Sequence, residues 1–156
     1  MSKYNAKKIT VDGIRFDSKN EAKYYEYLKL MKFQGKIDNF ELQPKYELQP
    51  KFKKYGRTIR AIHYIADFLI YHLDGTEEVI DVKGMATPVA LQKRKEFDYK
   101  YPNLKLTWVC RNIKYGDKHG WIEYDELQKI KRKNRRNKKW LKSETRCYVI
   151  MDTKVQ

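Results

Sequence analysis

The chain has 156 residues, of which 41% are hydrophobic and 14% aromatic, so it is long and apolar enough to bury a core. This composition excludes wholesale disorder and suits one domain with a modest extension. The 35 lysines and arginines exceed the 20 aspartates and glutamates by 15 charges, which points to a polyanionic partner: nucleic acid first, an anionic membrane surface second.

The sequence lacks several patterns that would indicate other classes of protein. No stretch is apolar over the length that a membrane-spanning helix needs, and the N-terminal residues contain no apolar signal core. Cys110 and Cys147 have neither metal-ligand spacing nor a partner framework, so we expect free thiols. The three histidines are scattered, and no zinc site is predicted.

The N-terminal third predicts a hairpin followed by a helix. "ITVDGIRF" alternates around Asp12-Gly13, a hairpin-turn signal. A helix is expected from about residue 18 to 34, with Asp17 or Ser18 as its N-cap and Gly35 at its end. Helical spacing gives it one apolar stripe, formed by Ala22, Tyr25, Leu28 and Met31.

The middle third predicts strands joined by turns. Pro44 interrupts "FELQPKYEL", which fits an edge strand or a bulge. "KFKKYGRTI" is a basic turn or hairpin tip. "RAIHYIADFLIYHL" predicts one long strand buried on both faces, and Asp74-Gly75 turns it into "EEVIDVKG".

The last third predicts a helix, a returning strand and a basic tail. Thr87 and Pro88 begin a helix that runs to about Tyr101, before Pro102. "LKLTWVC" then returns as a strand, which favours a parallel crossover and an α/β sandwich with a mixed sheet. Residues 127–142 carry nine lysines and arginines and no acid. We therefore divide the chain into a folded domain, 1–125, and a basic extension, 126–156.

Four polar residues occupy positions where the local pattern predicts burial or half-burial. Asp67 interrupts the long strand, Asp81 and Lys83 share one face of the next strand, and Glu21 lies on the stripe of the first helix. Buried carboxylates are costly unless paired or bound to metal, and three of them with one lysine suit a divalent cation.

Each residue also has a simpler interpretation. Ser18 and Glu21 have the spacing of a capping box. Asp67 could be a core acid paired with Lys83, and the acid-x-lysine pattern from Asp81 to Lys83 often occurs by chance. All four residues together could form a structural salt-bridge network. The order of these residues along helix, strand, turn and strand is the more specific signal.

That order resembles the PD-(D/E)xK nuclease superfamily. "YIADF" would supply its first aspartate, and "IDVKG" its acid and lysine. Two positions depart from the pattern, since Ala66 replaces a proline and Asp81 takes a slot often held by glutamate. The resemblance implies a restriction-endonuclease-like α-β-β-β-α-β core with a mixed sheet flanked by helices. Glu21 fits a first-helix glutamate found in the branch with archaeal-type Holliday junction resolvases.

Residues 3–100 also resemble a narrower family of small phage and prophage proteins long filed as a domain of unknown function. "VDGIRFDSKNEAKYY", "ELQPKYEL", "YIADF" and "DVKG" carry this resemblance jointly. It supports the nuclease class more firmly than the substrate. The expected location is the cytoplasm, and the cytoplasm of the host cell if the chain is phage-encoded.

The resemblance implies a Mg²⁺-dependent, structure-specific DNA endonuclease similar to a Holliday junction resolvase, with Mn²⁺ able to replace Mg²⁺. Asp67, Asp81 and the Val82 carbonyl would bind the metal, Glu21 would act through water or on a second ion, and Lys83 would orient the attacking water. Symmetric cutting of a branched DNA implies a homodimer. The alternatives are another phage recombination, repair or packaging nuclease acting on flaps or ends, and an inactive DNA-binding module.

Two basic groups are expected to bind DNA phosphates, and Lys93 on the second helix is a further candidate. Solvated surfaces are their simpler interpretation. Gln92 could also reach the scissile phosphate, and Gln43 could support the site. The expected DNA-binding residues are Lys51, Lys53, Lys54, Arg57, Arg60, Lys93, Lys131, Arg132, Lys133, Arg135, Arg136, Lys138 and Lys139.

Overall fold

A computed structural model describes the backbone of residues 8–152 and the side chains of residues 8–138 and 140. The described helices are α1 (Lys19–Phe33), α2 (Pro88–Lys100) and α3 (Tyr124–Asp152). The described strands are β1 (Ile9–Val11), β2 (Ile14–Phe16), β3 (Asn39–Leu42), β4 (Lys45–Gln49), β5 (Phe52–Lys54), β6 (Arg57–Ile59), β7 (Ile62–Ile65), β8 (Phe68–Tyr71), β9 (Glu77–Val82), β10 (Lys105–Arg111) and β11 (Trp121–Glu123).

A five-stranded mixed sheet forms the centre of the molecule, in the order β11-β10-β9-β8-β3. Strands β9 and β10 are parallel and are joined by α2, whereas the other neighbours in this sheet are antiparallel. The predicted α/β architecture and the crossover through α2 are therefore confirmed. Within the sheet core, the chain order is α1, β3, β8, β9, α2 and β10.

The two faces of the sheet have separate cores. α1 packs its predicted stripe against Phe68 and Ile80, and α2 inserts Phe97 among Leu69, Val79 and Leu106 on the opposite face. Ser18 is the N-cap of α1, since its Oγ accepts a hydrogen bond from the Glu21 N–H. Successive residues of β9 consequently point to opposite helices.

The strand predicted from residues 60 to 73 is two strands, and this part of the sequence interpretation is wrong. The ladder breaks at Ala66 and Asp67, where the Ala66 N–H donates to the Pro44 carbonyl and the Asp67 N–H donates to the Ile80 carbonyl. β7 therefore pairs with β4, whereas β8 pairs with β3 and β9. Ile65, expected to be buried, is 59% exposed.

Strands β4 to β7 form a two-stranded ribbon that leaves the central sheet at this break. Its root, β4 and β7, packs on α2 through Tyr46 and Tyr64, whose rings contact Phe97. Pro50 ends the root, and β5 and β6 form the outer hairpin. The prediction of a basic hairpin tip over this segment is confirmed.

The basic segment expected to be an extension lies in α3, which begins at Tyr124. Leu127 is buried with Cys110 and Ile122, so the proposed boundary at 125/126 falls inside a helix whose first turns pack on the sheet. The division into domains stays a prediction. None of the helices in the described part of the chain is long and apolar enough to cross a membrane.

Candidate active site

Asp67 lies on the bend where the ribbon leaves the central sheet. Its backbone N–H donates to the Ile80 carbonyl at 3.1 Å, and its carboxylate Oδ2 accepts the Val82 N–H at 2.7 Å. β7 does not pair with β9, and these two hydrogen bonds join the bend to β9 instead. They fix the Asp67 carboxylate beside the C-terminal half of β9. The described side chains place no lysine or arginine within 4.0 Å of Asp67, so the simpler interpretation, in which Asp67 pairs with Lys83, is wrong.

Asp81 is buried at the same level of β9, with only 3% of its surface exposed. Its Oδ1 lies 2.8 Å from the Lys83 Nζ, and its Oδ2 accepts a hydrogen bond from the Tyr64 hydroxyl at 2.5 Å. The Tyr64 oxygen in turn accepts the Trp108 Nε1–H at 2.8 Å. Trp108 is opposite Asp81 in the parallel register, which brings its ring to the same face.

The two aspartates interact electrostatically. Burial raises the pKa of Asp67, the charge of Asp81 raises it further, and the Val82 hydrogen bond only partly opposes both, so that the pKa reaches about 8. Glu21 adds a smaller effect of the same sign. Burial and the neighbouring Asp81 also raise the pKa of Tyr64, which keeps this phenol a hydrogen-bond donor. Ionisation of Asp67 would therefore give the site more negative charge than Lys83 balances.

Glu21 has both roles that its sequence position allows. Its Oε2 accepts the Asp17 N–H at 3.0 Å, one residue before the N-cap, and completes a variant of the capping box. Glu21 also lines a cleft of about 110 Å³ together with Gln43 and Asp67. Glu21 therefore faces Asp67 from the α1 side, whereas Asp81 points toward α2.

Gln43 and Thr87 have mainly backbone roles. Gln43 has φ +50°, and its N–H donates to the Asp67 carbonyl at 2.9 Å, which ties the end of β3 to the bend. Thr87 caps α2 by accepting the Ala90 N–H, as the sequence predicts. Of these two residues, only Gln43 contacts the bend that carries Asp67, and it does so through its backbone N–H.

The α2 residues proposed to reach a phosphate have partners within the protein. Lys93 donates to the His63 carbonyl at 2.9 Å, which fastens α2 to the ribbon root, and Gln92 donates to Glu96 on its own helix. Arg94, one residue further, contacts the candidate site through Trp108. Its guanidinium carbon stands 4.7 Å from the centre of the Trp108 ring, and it bonds Asp125 at 2.7 Å.

Sequence reasoning did not identify Tyr64, Trp108 or Arg94 as part of the site. Tyr64 and Trp108 continue apolar strand patterns, so each reads as a core residue. The available signal is that a buried phenol or indole needs a hydrogen-bond partner. Lys83 Nζ also lies 5.5 Å from the Trp108 ring centre, so one aromatic ring is near two cations.

The expected phosphate-binding residues lie on the hairpin and on α3. All residues from 51 to 60 are exposed, and so are residues 131–138 on the helix. The side chain of Lys139 lies outside the described side chains. Because a helix turns 100° per residue, the cations at 131–138 spread over more than half of the helix circumference instead of forming one narrow stripe.

The oxygen ligands present suit Mg²⁺ if two carboxylates are sufficient. No group of three or more histidine, cysteine, aspartate or glutamate side chains in the described part of the chain is arranged to hold a metal ion. Mg²⁺, however, retains several waters and commonly uses one or two carboxylates. Asp67, uncompensated by any described cation and repelled by Asp81, is the carboxylate that a divalent cation would stabilise most. Glu21, held by its backbone bond, fits contact through water.

Comparison with known proteins gives a family without an assigned activity. No curated protein matches the chain. Residues 1–117, three quarters of the sequence, match a family described as "Protein of unknown function (DUF1064)". This match spans α1, the ribbon, the candidate site and the central strands up to β10. The chain therefore belongs to the DUF1064 family.

Proposed function

We propose that this protein is a Mg²⁺-dependent, structure-specific DNA endonuclease of the PD-(D/E)xK type, similar to Holliday junction resolvases. One observation carries the proposal: Asp81, which is buried and paired with Lys83, lies beside the half-buried Asp67 at the end of β9, and the two carboxylates repel each other. Such a cluster costs folding free energy. Perturbed carboxylates of this kind occur preferentially at functional sites.

The residues divide the work of phosphodiester hydrolysis between them. Asp67 and Asp81, with the Val82 carbonyl, would hold Mg²⁺, which lowers the pKa of water and neutralises phosphate charge. Tyr64 and Trp108 fix the rotamer of Asp81 through their two hydrogen bonds. Lys83 has three N–H donors, and the bond to Asp81 leaves others for the attacking water or a phosphate oxygen. Glu21 would orient a water on the α1 side.

Charge supports DNA as the substrate. The net charge is +15, and exposed lysines and arginines cluster on the outer hairpin and on α3. Cations on such surfaces bind phosphates without regard to sequence. We propose a branched substrate, a homodimer for paired cuts and action in the host-cell cytoplasm. Mn²⁺ should replace Mg²⁺, because both accept oxygen ligands.

The decisive experiment is cleavage of a matched panel of DNAs. Four-way junction, flap, duplex and single-stranded DNA of the same sequence are incubated with the protein and Mg²⁺, and in parallel with EDTA. The proposal expects metal-dependent cuts near the branch of the junction. Preferred cutting of flaps or ends would favour the recombination, repair or packaging alternative. Absence of cleavage of every DNA with both Mg²⁺ and Mn²⁺ would refute the nuclease.

A second candidate, an inactive DNA-binding module, is favoured by the hydrogen bonds of the acids. Asp81 already has Lys83 and Tyr64 as partners, and Glu21 completes a helix cap. In that case the four residues are structural. The panel separates the two candidates, because the inactive module would bind all the DNAs and cut none.

A further inference from the structure

The outer hairpin, β5 and β6 with their turn, has no core of its own. Every residue from 51 to 60 is exposed, and its one apolar cross-strand pair, Phe52 and Ile59, is 41% and 39% exposed. An isolated two-stranded hairpin is marginally stable in water. The packing of the protein therefore does not explain why the ribbon extends past Pro50. Binding of an external partner would explain it.

The charge on this hairpin selects the partner. Residues 51–60 contain five cations and no acid: Lys51, Lys53, Lys54, Arg57 and Arg60. The described side chains include no acid within 4.0 Å of any of them. The register places Lys54 and Arg57 on one face and Lys53 on the other. A ribbon with cations on both faces is complementary to a polyanion.

The tip of the hairpin carries an aromatic residue in an unfavourable backbone conformation. Tyr55 has φ +51° and Gly56 has φ +73°, so the turn is of the two-residue type whose first position favours asparagine, aspartate or glycine. A bulky residue there is an outlier. The Tyr55 ring is 92% exposed, and Lys54 Nζ lies 5.5 Å from its centre. A flat ring is thus presented at the end of the arm, beside a cation.

We propose that Tyr55 stacks on an unpaired DNA base, while the cations of residues 51–60 bind the adjoining phosphates. Aromatic side chains bind bases by stacking irrespective of sequence, and only unstacked bases expose the necessary face. Such bases occur in single strands and at branch points. This inference rests on the proposed function. It gives the proposed nuclease a substrate class, DNA with an unstacked base.

The position of the arm connects this contact to the carboxylates. β7, the returning strand of the ribbon root, ends at Ile65, two residues before Asp67. Residues 51–55 lead outward from Pro50 to the tip and residues 56–60 lead back, which gives a reach of roughly 17 Å at about 3.3 Å per residue. The Tyr55 ring would therefore engage a base at a distance from the scissile phosphate, on the strand or arm next to it.

The test compares three variants by DNA binding in EDTA, where metal-dependent cleavage does not interfere. Tyr55→Asn removes the ring and introduces a residue that the turn favours, so the hairpin is retained. Tyr55→Trp restores an aromatic face. Tyr99→Asn is the matched control, because Tyr99 on α2 is 90% exposed. The probes are single-stranded DNA, a four-way junction and blunt duplex, with 2-aminopurine at the junction centre in a second series.

We expect Tyr55→Asn to weaken binding to single-stranded and junction DNA by about tenfold, because one stacked base is no longer held. Duplex affinity should change less than twofold, and Tyr55→Trp should restore binding. The 2-aminopurine emission should respond to wild type and not to Tyr55→Asn. Equal losses for duplex and junction would overturn the proposal in favour of a ribbon lying in the major groove. Unchanged affinity for every DNA would also overturn it.

Failure of the stacking inference and failure of the nuclease proposal give different results. If wild type cuts no DNA with Mg²⁺ while Tyr55→Asn still binds single strands less well, the stacking inference stands and the enzyme assignment fails. If wild type cuts junctions while Tyr55→Asn binds and cuts them like wild type, the enzyme assignment stands and the stacking inference fails.

Discussion

The Asp81 carboxylate is a metal ligand in the catalytic interpretation and the ion-pair partner of Lys83 in the structural one. One substitution distinguishes these two roles. Asp81→Asn keeps the shape of the side chain and an oxygen that can accept the Tyr64 hydroxyl. Lys83 has a side chain that is 24% exposed, so its ammonium can turn toward water. We therefore expect little change in melting temperature and a fall in cleavage by several orders of magnitude.

Asp98→Asn on the exposed surface of α2 is the control for this measurement. DNA binding should survive in both variants, because neither alters the basic surfaces. A large drop in melting temperature for Asp81→Asn, with activity lost only through unfolding, would show that Asp81 is the structural partner of Lys83. A stable and fully active Asp81→Asn would contradict both interpretations.

Asp67 predicts an unusual dependence of stability on pH. Its pKa is about 8 in the folded protein against 3.8 for an unperturbed aspartate, so the folded state binds the proton more tightly. This contribution to stability is complete below the unfolded pKa and is lost as the pH rises through about 8. In EDTA, the melting temperature of wild type should fall between pH 5 and pH 9 more steeply than that of Asp67→Asn.

Adding Mg²⁺ should reverse that loss, because the metal binds the ionised carboxylate of the folded state. The increase in melting temperature should be larger at pH 8 than at pH 5, and absent in Asp67→Asn. Asp38→Asn, at an exposed loop position, provides the comparison. An identical Mg²⁺ effect in wild type and Asp67→Asn would exclude Asp67 as a metal ligand.

For individual residues, the sequence indicated the acids of the candidate site but not their hydrogen-bond partners. Asp67, Asp81 and Lys83 stand out because charge interrupts apolar strands. Tyr64 and Trp108 do not, since both conform to the apolar pattern. Their hydrogen bonds join residues 17 and 44 positions apart, and only the pairing of strands determines such contacts.

Among the elements, the break at Ala66 and Asp67 is the feature that pattern reasoning misses. Tyr64, Ala66 and Phe68 are all buried, so burial at every second residue continues along the sequence across the break. What changes is the partner strand, from β4 to β3 and β9, and the side of the sheet, since Tyr64 and Ala66 pack with α2 and Phe68 packs with α1. Side-chain periodicity reports burial and contains no information about which backbone receives the hydrogen bonds.

The sequence contains the signals needed to predict that the basic tail is helical. From Trp121 onward the sequence contains neither glycine nor proline, lysine and arginine are good helix formers, and Asp125 and Glu126 favour the first turn. Leu127 and Ile130, three positions apart, mark the face that packs near Cys110.

For α3 we predict a contribution to DNA affinity that depends on salt and not on sequence. Replacing Arg135, Arg136 and Lys138 by glutamine should preserve helix and fold, because all three are exposed and glutamine has similar helix propensity. The slope of log affinity against log salt should decrease by up to about 0.9 for each phosphate that no longer binds a cation of α3. Salt titrations of duplex and junction binding measure it.

A matched triple variant, Lys36, Lys95 and Lys118 to glutamine, removes the same charge from exposed positions outside α3. Both variants change net charge from +15 to +12, so a difference in slope reports position and not total charge. Equal slopes for the two variants would assign the phosphate contacts elsewhere, with the outer hairpin as the next candidate.

For the whole molecule we predict a dimer on branched DNA. One chain has one pair of carboxylates, and two symmetric cuts need two. Sedimentation of the protein with a junction in EDTA should give two chains per DNA. Mixtures of wild type with Asp81→Asn should nick one strand instead of cutting two. A complex with one chain per junction that still cuts both strands would contradict the dimer.

Fold class was the property best predicted from the sequence, because it depends on patterns that many residues repeat. The mixed sheet, the crossover through α2 and the hairpin over 51–60 follow from repeated local signals. The placement of the ribbon on α2 depends on Tyr46, Tyr101 and Phe97 meeting in space, which no local window of sequence contains.

The ribbon has a root packed against α2 and an outer hairpin whose residues 51–60 are all exposed. Substitutions, insertions and deletions in the outer part therefore leave the packing around Asp67 and Asp81 unchanged. Over evolutionary time, relatives can diverge in length and composition between Pro50 and Ala61 while retaining the acids. Selection on the DNA structure that is recognised can then act on one short segment, with little cost to the stability of the sheet or to its chemistry.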